Sequence, residues 1–393
     1  MRFRCQRCLY WSDHPLGLII DSDGICSGCK VHEEKFYIDW SDRESELRLL
    51  LANYIGQSKY DCIVPVSGGQ DSFFIVHLVM NRLGLNPLLV NFNRNFNSKE
   101  GIKNLALLRT CFDADFRQFT LDPNVARKVI STTLTNLGTI NWLWNAGQTS
   151  YPVRLAVQLR IPLIIWGAHQ GLEQVGMFSH YDNVEMTSRY RKEHDLLGYD
   201  ENDIFSFNPN FTKDDIQSLS YPTDKDLIEN QIRGIYLGNY FKWDSVRQHA
   251  EIKKIYGYVG RKEAGAFHKY DNPDCPVYFQ LQDRLKILKH GYSKATDQLT
   301  REIRFNRMSR EKAFKLETKY INRNIFQYEN FANWLGASEA AIQNVLLMHD
   351  SNLAKTILET ENMTHKRKIP FKLGSFNNSV FIDEDFTNIG KGI

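Results

Sequence analysis

Short apolar runs alternate with amphipathic stretches between about residues 60 and 170. Cys62-Ile63-Val64-Pro65-Val66, the run from Pro87 to Phe92, Asp115 to Thr120 and Ile161 to Trp166 each read as a strand. They are short, apolar and bounded by glycine, proline or polar residues. Helical periodicity fills the gaps. Residues 73–83 place Phe73, Val76, His77 and Met80 on one face, Ser98 caps a stretch through Leu108, and 123–134 and 148–159 follow. Strands separated by helices at this spacing predict an α/β fold: a parallel sheet with crossover helices on both faces. An earlier helix is expected from Asp42 to about Tyr54, with Ser41 and Glu44 as its capping box.

Beyond about Ser179 aromatic and charged residues intermix and helical periodicity takes over. Residues 225–237, 243–256, 277–289, 296–306, 310–320 and 338–348 read as helices, and 369–393 carries no clear pattern. The expected organisation has three parts: a small cysteine-rich ribbon over 1–36, an α/β domain over 41–180, and a mainly helical substrate or partner region over 181–393.

Composition narrows the classes. With 42% apolar and 24% charged residues, the chain of 393 has the balance of an ordinary globular protein. A formal charge of +3 is too small to argue for general nucleic-acid binding. No run reaches the roughly 18 apolar residues of a membrane span. The start, Met1-Arg2-Phe3-Arg4-Cys5, lacks a signal peptide's apolar core, so a cytoplasmic location without membrane association is expected.

Four of the seven cysteines lie within the first 29 residues. Cys5-x2-Cys8 and Cys26-x2-Cys29 have the spacing of a closed four-thiolate site, which predicts a structural Zn2+ that folds this segment. Paired disulfides are the alternative, disfavoured in a reducing compartment.

The central chemical signal is Ser67-Gly68-Gly69-Gln70-Asp71-Ser72, set directly after an apolar strand and before an apolar helix. Two glycines let backbone N–H groups close on an anion, and the helix offers its positive N-terminus to the same point. Ser67 and Ser72 add hydroxyls, and Asp71 can orient the loop or hold Mg2+. The spacing is not that of a Walker A loop. The bland alternative is a tight turn with incidental serines.

This loop resembles the SGGxDS signature of the PP-loop ATP pyrophosphatases. The resemblance implies that the loop holds the pyrophosphate end of ATP, so that an oxygen nucleophile attacks the α-phosphorus and leaves an adenylated intermediate. Together with the cysteine ribbon, the chain resembles the N-acetyl sugar amidotransferase family of bacterial surface-polysaccharide synthesis, including O-antigen and pseudaminic-acid-type sugars. Two further segments carry that likeness: Trp166-Gly167-Ala168-His169-Gln170-Gly171-Leu172-Glu173, and Lys289 to Asp297 with Glu302-Ile303-Arg304. The resemblance implies conversion of a sugar N-acetyl group to an acetamidino group, with an N-acetylated nucleotide sugar as substrate and ammonia from a glutaminase with a cyclase-like partner. It implies Asp71, Glu173 and Lys294 as catalytic candidates, and Ser67 to Ser72 with Asn91 around the nucleotide. The family often carries an acidic residue after the glycine matching Gly167; this chain has Ala168 there and keeps Glu173 downstream.

Other residues have two readings each. Asp182 and Glu185 suit Mg2+ but read better as an exposed polar face. His169 and His180 suit a substrate contact but read better as surface loop histidines. Arg189 to Lys192, with Lys286 and Lys289, suit a diphosphate or simply a solvated face. Asn141-Trp142-Leu143-Trp144 reads as packing before a sugar platform. Two other functions remain open: a tRNA- or nucleobase-thiolating enzyme, which needs a reactive cysteine such as Cys111, and a non-catalytic nucleotide-binding subunit.

Overall fold

Five strands build one wholly parallel sheet: β1 (Cys62–Pro65), β2 (Pro87–Asn93), β3 (Phe116–Thr120), β4 (Leu163–Trp166) and β5 (Arg233–Tyr236). Their spatial order is β3-β2-β1-β4-β5. The computed structural model describes residues 2–351 apart from 96, 262–264, 271–275 and 324–328, so the stretch 369–393 lies outside the described residues. The chain lays β2 and β3 on one side of β1, then returns to lay β4 and β5 on the other. The direction reverses between β1 and β4, which is where open α/β sheets bind ligands.

Alternation along the strands explains the two covered faces. Cys62 and Val64 of β1, Leu89 of β2, and Leu163 and Ile165 of β4 enter one core with Phe73, Val76 and Trp243. Ile63, Leu88, Val90 and Ile164 point the other way, against Val153 and Ala156. The first face is covered by α3 (Gln70–His77) and the helix Ser245–Tyr256, the second by α6 (Trp142–Leu159). Between them in sequence come α4 (Lys99–Cys111), capped by Ser98, and α5 (Pro123–Leu137). Gly147 of α6 has a specific reason: a Cβ there would overlap the Phe92 ring at the end of β2.

The structure changes three sequence expectations. Residues 225–237 are not one helix: a helical turn over Asp224–Glu229 stops, Gln231 takes φ 52°, and β5 begins at Arg233. Gly234 lets Met186 pack over the new strand, and Arg233 pairs with Leu163. The sheet therefore runs past the boundary drawn at residue 180. Helix α2 (Trp40–Leu51) starts earlier than expected, and Asp39, not Ser41, is its cap; the Asp39 carboxylate accepts from the Ser41 and Asp42 amides at 2.9 and 3.3 Å. Glu44 instead accepts from the Arg48 and Arg82 guanidiniums. Finally, α6 begins at Trp142, so Trp142 and Trp144 are buried in the core beside α5.

The C-terminal helices close the fold. Leu281, Leu285 and Leu288 of the helix Pro276–His290 enter the core shared by α5 and α6. The next helix, Lys294–Arg304, starts with a capping box of Ser293 and Thr296. Replacing Asp39 tests the cap assignment: Asp39→Ala should lower unfolding free energy by about 1 kcal/mol in urea melts, while Ser41→Ala should stay within about 0.5 kcal/mol of wild type.

Candidate active site at the sheet switch point

At the carboxyl end of β1 the backbone turns through Ser67 and Gly68 into α3. Gly68 has φ +80°, and a Cβ on it would lie 3.1 Å from the Leu105 backbone nitrogen. Conformation and space both demand glycine there. Ser72 Oγ accepts from the Ser67 amide at 2.8 Å, and Ser67 Oγ accepts from the Gly69 amide at 3.3 Å. The two serines thus brace the turn; Ser67 also lines the cavities beside it, whereas Ser72 is buried behind the turn and lines none of them. Gly69 begins α3 without any side-chain cap. Gln70 is buried; its amide nitrogen donates to Asp71 Oδ1 at 3.1 Å and to the Ser245 carbonyl at 3.3 Å.

A cavity of about 210 Å³ lies against this turn and brings together Ser67, Asp71, Glu173, Gln174, Lys294 and Arg301. The three catalytic candidates named from the sequence therefore share one wall-to-wall space, although more than 200 residues separate the first from the last. Glu173 sits on a π-helical turn, Gly171–Val175, just past β4. Its Oε2 accepts from the fully buried Lys35 ammonium at 2.6 Å, and Oε1 is buried without a hydrogen-bond partner. Burial pushes the Lys35 pKa down, against the attraction of Glu173. Lys35 also donates to the Trp243 carbonyl at 3.1 Å. Lys294 opens its helix, and its backbone amide donates to Asp283 Oδ1 at 2.5 Å.

Two more cavities adjoin. One of about 100 Å³ is lined by Ser67, Asn91, Asn93, Arg94, Gln118 and Gln148, at the ends of β2 and β3. Asn91 donates to the Val66 carbonyl at 2.7 Å, and its Oδ1 is buried without a partner. The other, about 580 Å³, shares Gln170, Gln174, Lys294 and Asp297 with the cavity at the loop. Asp297 stands at their junction, accepting from Tyr10 Oη at 2.8 Å, Gln174 Nε2 at 3.0 Å and Lys286 Nζ at 2.5 Å. Burial alone would raise its carboxyl, but Lys286 and Lys294 hold it below the ordinary range. Asp283 lines the large cavity too, and burial raises it to about 6.

The large cavity holds groups that the sequence pattern did not single out. His194 is buried, its Nδ1 is 2.9 Å from Asp195 Oδ1, and its Nε2 has no hydrogen-bond partner. Tyr190 stacks on it with centroids 4.7 Å apart. Nothing in the one-dimensional pattern distinguished His194 from other helical histidines. His169 and His180, expected at the surface, are both 1% exposed. The reason is packing: His169 is enclosed by Phe178, Tyr190 and Tyr236, and His180 by Trp40. Burial lowers them to about 3 and about 4. Arg191, expected on a solvated face, is also buried and pairs with Glu201. Arg189 is exposed, and Lys192 pairs with Asp200.

Lys289 lines the large cavity and donates to the Leu137 carbonyl at 2.6 Å, and Trp142 lines it from α6. Asp182 and Glu185 lie elsewhere: Asp182 accepts from the Ser179 amide, and Glu185 binds the Arg233 guanidinium. Cys111 is exposed at the end of α4, and Cys62 is buried inside β1, where burial raises its thiol.

The sulfurs of Cys5, Cys8, Cys26 and Cys29 lie within 4.8 Å of one another, all buried and none in a disulfide. Such close, inward thiols suit a tetrahedral thiophilic ion. The Cys8 and Cys26 amides both point at Cys5 Sγ, at 3.5 and 3.3 Å, and hydrogen bonding to Cys26 and the other thiols holds Cys5 far below the ordinary thiol range. The ribbon also walls the cavities, through Tyr10 at the loop and Pro15 and Leu16 in the large one.

Against known proteins, residues 264–366 match the family model of the LPS biosynthesis protein WbpG-like C-terminal domain. The resemblance drawn from the sequence holds there. That segment supplies Lys294, Asp297 and Arg301 to the cavity at the loop. An uncharacterized protein of Methanocaldococcus jannaschii, MJ1599, is 28% identical over 102 residues, 26% of this chain and 36% of that protein. The chain thus spans about a third of that relative's length. NMN synthetase from Francisella tularensis aligns with 54% of this chain and 96% of its own, at 13% identity and TM-score 0.29. NH3-dependent NAD synthetase from Campylobacter jejuni aligns with 56% and 94%, at 15% identity and TM-score 0.29. Among the described residues no helix is long and apolar enough to cross a membrane.

The buried histidines give a pH prediction. His169 has a folded pKa near 3 against about 6.5 unfolded, so the unfolded chain takes the proton first and stability falls as pH drops through that window. In urea melts, wild type should lose about 2 kcal/mol between pH 7 and pH 5 that His169→Phe does not lose. Parallel losses in both proteins would contradict this assignment.

Proposed function

We propose that the chain is an ATP-dependent amidotransferase that converts the N-acetyl group of a nucleotide-linked sugar to an acetamidino group. The observation that carries the reading is the meeting of the Ser67–Ser72 turn, Asp71, Glu173 and Lys294 around one cavity that shares its wall with a larger one. The match to an LPS biosynthesis domain over 264–366 supports the substrate class.

In this reading the uncapped N-terminus of α3 and the glycine turn receive the ATP phosphates, and the small cavity beside Asn91 receives the adenine end. The acetamido oxygen attacks the α-phosphorus, the bond to the β-phosphate oxygen breaks, and pyrophosphate leaves. Ammonia then adds to the resulting imidate carbon, the carbon–oxygen bond breaks, and AMP leaves with the former amide oxygen. Charge develops on phosphate oxygens in the first step, which suits Lys294 and Arg301 as fixed cations. The Asp71 carboxylate would hold a hard divalent cation such as Mg2+, which would supply positive charge to offset the phosphates. His194, with its orienting Asp195, is suited to accept the amide N–H proton as the oxygen attacks. The four thiolates fit Zn2+ in a closed structural role. Ammonia would come from a glutaminase with a cyclase-like partner, and the setting would be cytoplasmic O-antigen or related lipopolysaccharide synthesis.

The test is pyrophosphate release from MgATP in the presence of an N-acetylated nucleotide sugar and ammonium, with mass analysis of the sugar. The expected product is lighter by the exchange of oxygen for an imino group, and release depends on both co-substrates. Pyrophosphate release that ignores the sugar, or a sugar of unchanged mass, would reject the reading. Asp71→Asn and Lys294→Ala should each lower kcat by about 100-fold or more without changing the circular dichroism spectrum.

A further inference from the structure

Arg304 ends the helix Lys294–Arg304, is 5% exposed, and reaches two distant parts of the chain at once. Its Nη1 donates to the carbonyls of Glu173 and Gln174 at 3.0 and 2.9 Å. Its Nη2 lies 3.7 Å from Cys26 Sγ. Both carbonyls belong to the π-helical turn that carries Glu173 into the cavity, and the sulfur is one corner of the four-cysteine cluster. The guanidinium also sits over the Tyr10 ring, 5.4 Å from its centroid, and Tyr10 Oη reaches Asp297.

The surrounding joint is built for this closeness. A Cβ on Gly28 would come within 2.6 Å of the Gln174 carbonyl and overlap the Arg304 guanidinium. A Cβ on Gly176, which has φ +64°, would lie 2.5 Å from the Ser27 carbonyl. Ser27 Oγ donates to the Val175 carbonyl at 2.6 Å across the same gap. Two glycines thus face each other where the ribbon meets the turn, and a planar fork of donors fills the space. Four thiolates around a divalent ion would carry net negative charge, which a buried guanidinium compensates while directing its other donors elsewhere. Lysine offers one ammonium in place of that fork.

We propose that Arg304 is a positioning residue that couples the four-cysteine site to the turn carrying Glu173, so that a loaded metal site holds the turn in its working geometry. The proposal rests on the reading of the cysteine cluster as a metal site, not on the sugar reaction. Loss of the ion frees the sulfur end of the guanidinium, and the Glu173 and Gln174 carbonyls lose their fixed donor.

Hydrogen exchange on the full chain, with zinc content measured alongside, tests this. The Leu172, Glu173 and Met177 amides report directly, because they close the turn onto the His169 and Gly171 carbonyls at 2.8 to 3.1 Å. Removing zinc from wild type should speed exchange at these amides by about tenfold or more. Arg304→Gln and Arg304→Lys should do the same while retaining zinc, with exchange in β1 and β2 unchanged. Wild-type exchange rates in the zinc-loaded variants, or in zinc-free wild type, would overturn the coupling. A wild type that binds no zinc overturns the metal reading and the coupling together, whatever the pyrophosphate assay gives. If Arg304→Gln does not fold, Arg304→Lys and zinc-free wild type decide the matter.

Discussion

A parallel sheet sends every strand's carboxyl end to the same edge, and that constraint organises the rest of this molecule. The ends of β1, β2 and β4 deliver the Ser67–Ser72 turn, Asn91 to Arg94, and Gln170 to Gln174 to neighbouring cavities. The segment after β5 adds Trp243 and Ser245. Backbone leaving a strand has lost its ladder partners, so its N–H groups must find others. The Ser67 and Gly69 amides find serine hydroxyls, and the uncapped start of α3 is left facing the cavity. The sheet thus fixes where an anion is welcome before any side chain is counted.

The other side of that site is charged from a distance. Lys35 comes from the end of the ribbon, Lys286 and Lys294 from the C-terminal helices, and Asp297 and Glu173 answer them. Each carboxylate is largely buried and holds at least one cation within hydrogen-bond reach. Breaking such a pair by removing one partner strands the other charge, at a cost of about 3–5 kcal/mol. The ribbon, sheet and C-terminal region are therefore tied together by the charges that line the cavity, not only by apolar packing.

What the sequence made legible follows from which signals are local. The strand–glycine–helix turn, the two Cys-x2-Cys pairs and the Ser98 cap are each written within a few residues, and the structure forms them. β5 was not legible, because Arg233-Gly234-Ile235-Tyr236 is short, contains glycine, and gains its strand character only from pairing with β4. The burial of His169, His180 and Arg191 was equally hidden. Their enclosing partners, Tyr236, Trp40 and Glu201, arrive from other elements. Lys35 was not singled out, and Arg304 was named only within a matching segment, for the same reason: their partners are 138 and 278 residues away.

Glu173 shows why meeting in one cavity is not yet a division of labour. One of its oxygens is held by Lys35, and the other is buried with no partner among the described residues. A carboxylate so fixed presents its other oxygen as a stationary hydrogen-bond acceptor. Lys294 differs, since it stands on the rim shared by the loop cavity and the large one, at the first turn of its helix. The geometry therefore separates the two by their surroundings: Glu173 is braced from the ribbon by Lys35, and Lys294 stands where the two cavities meet.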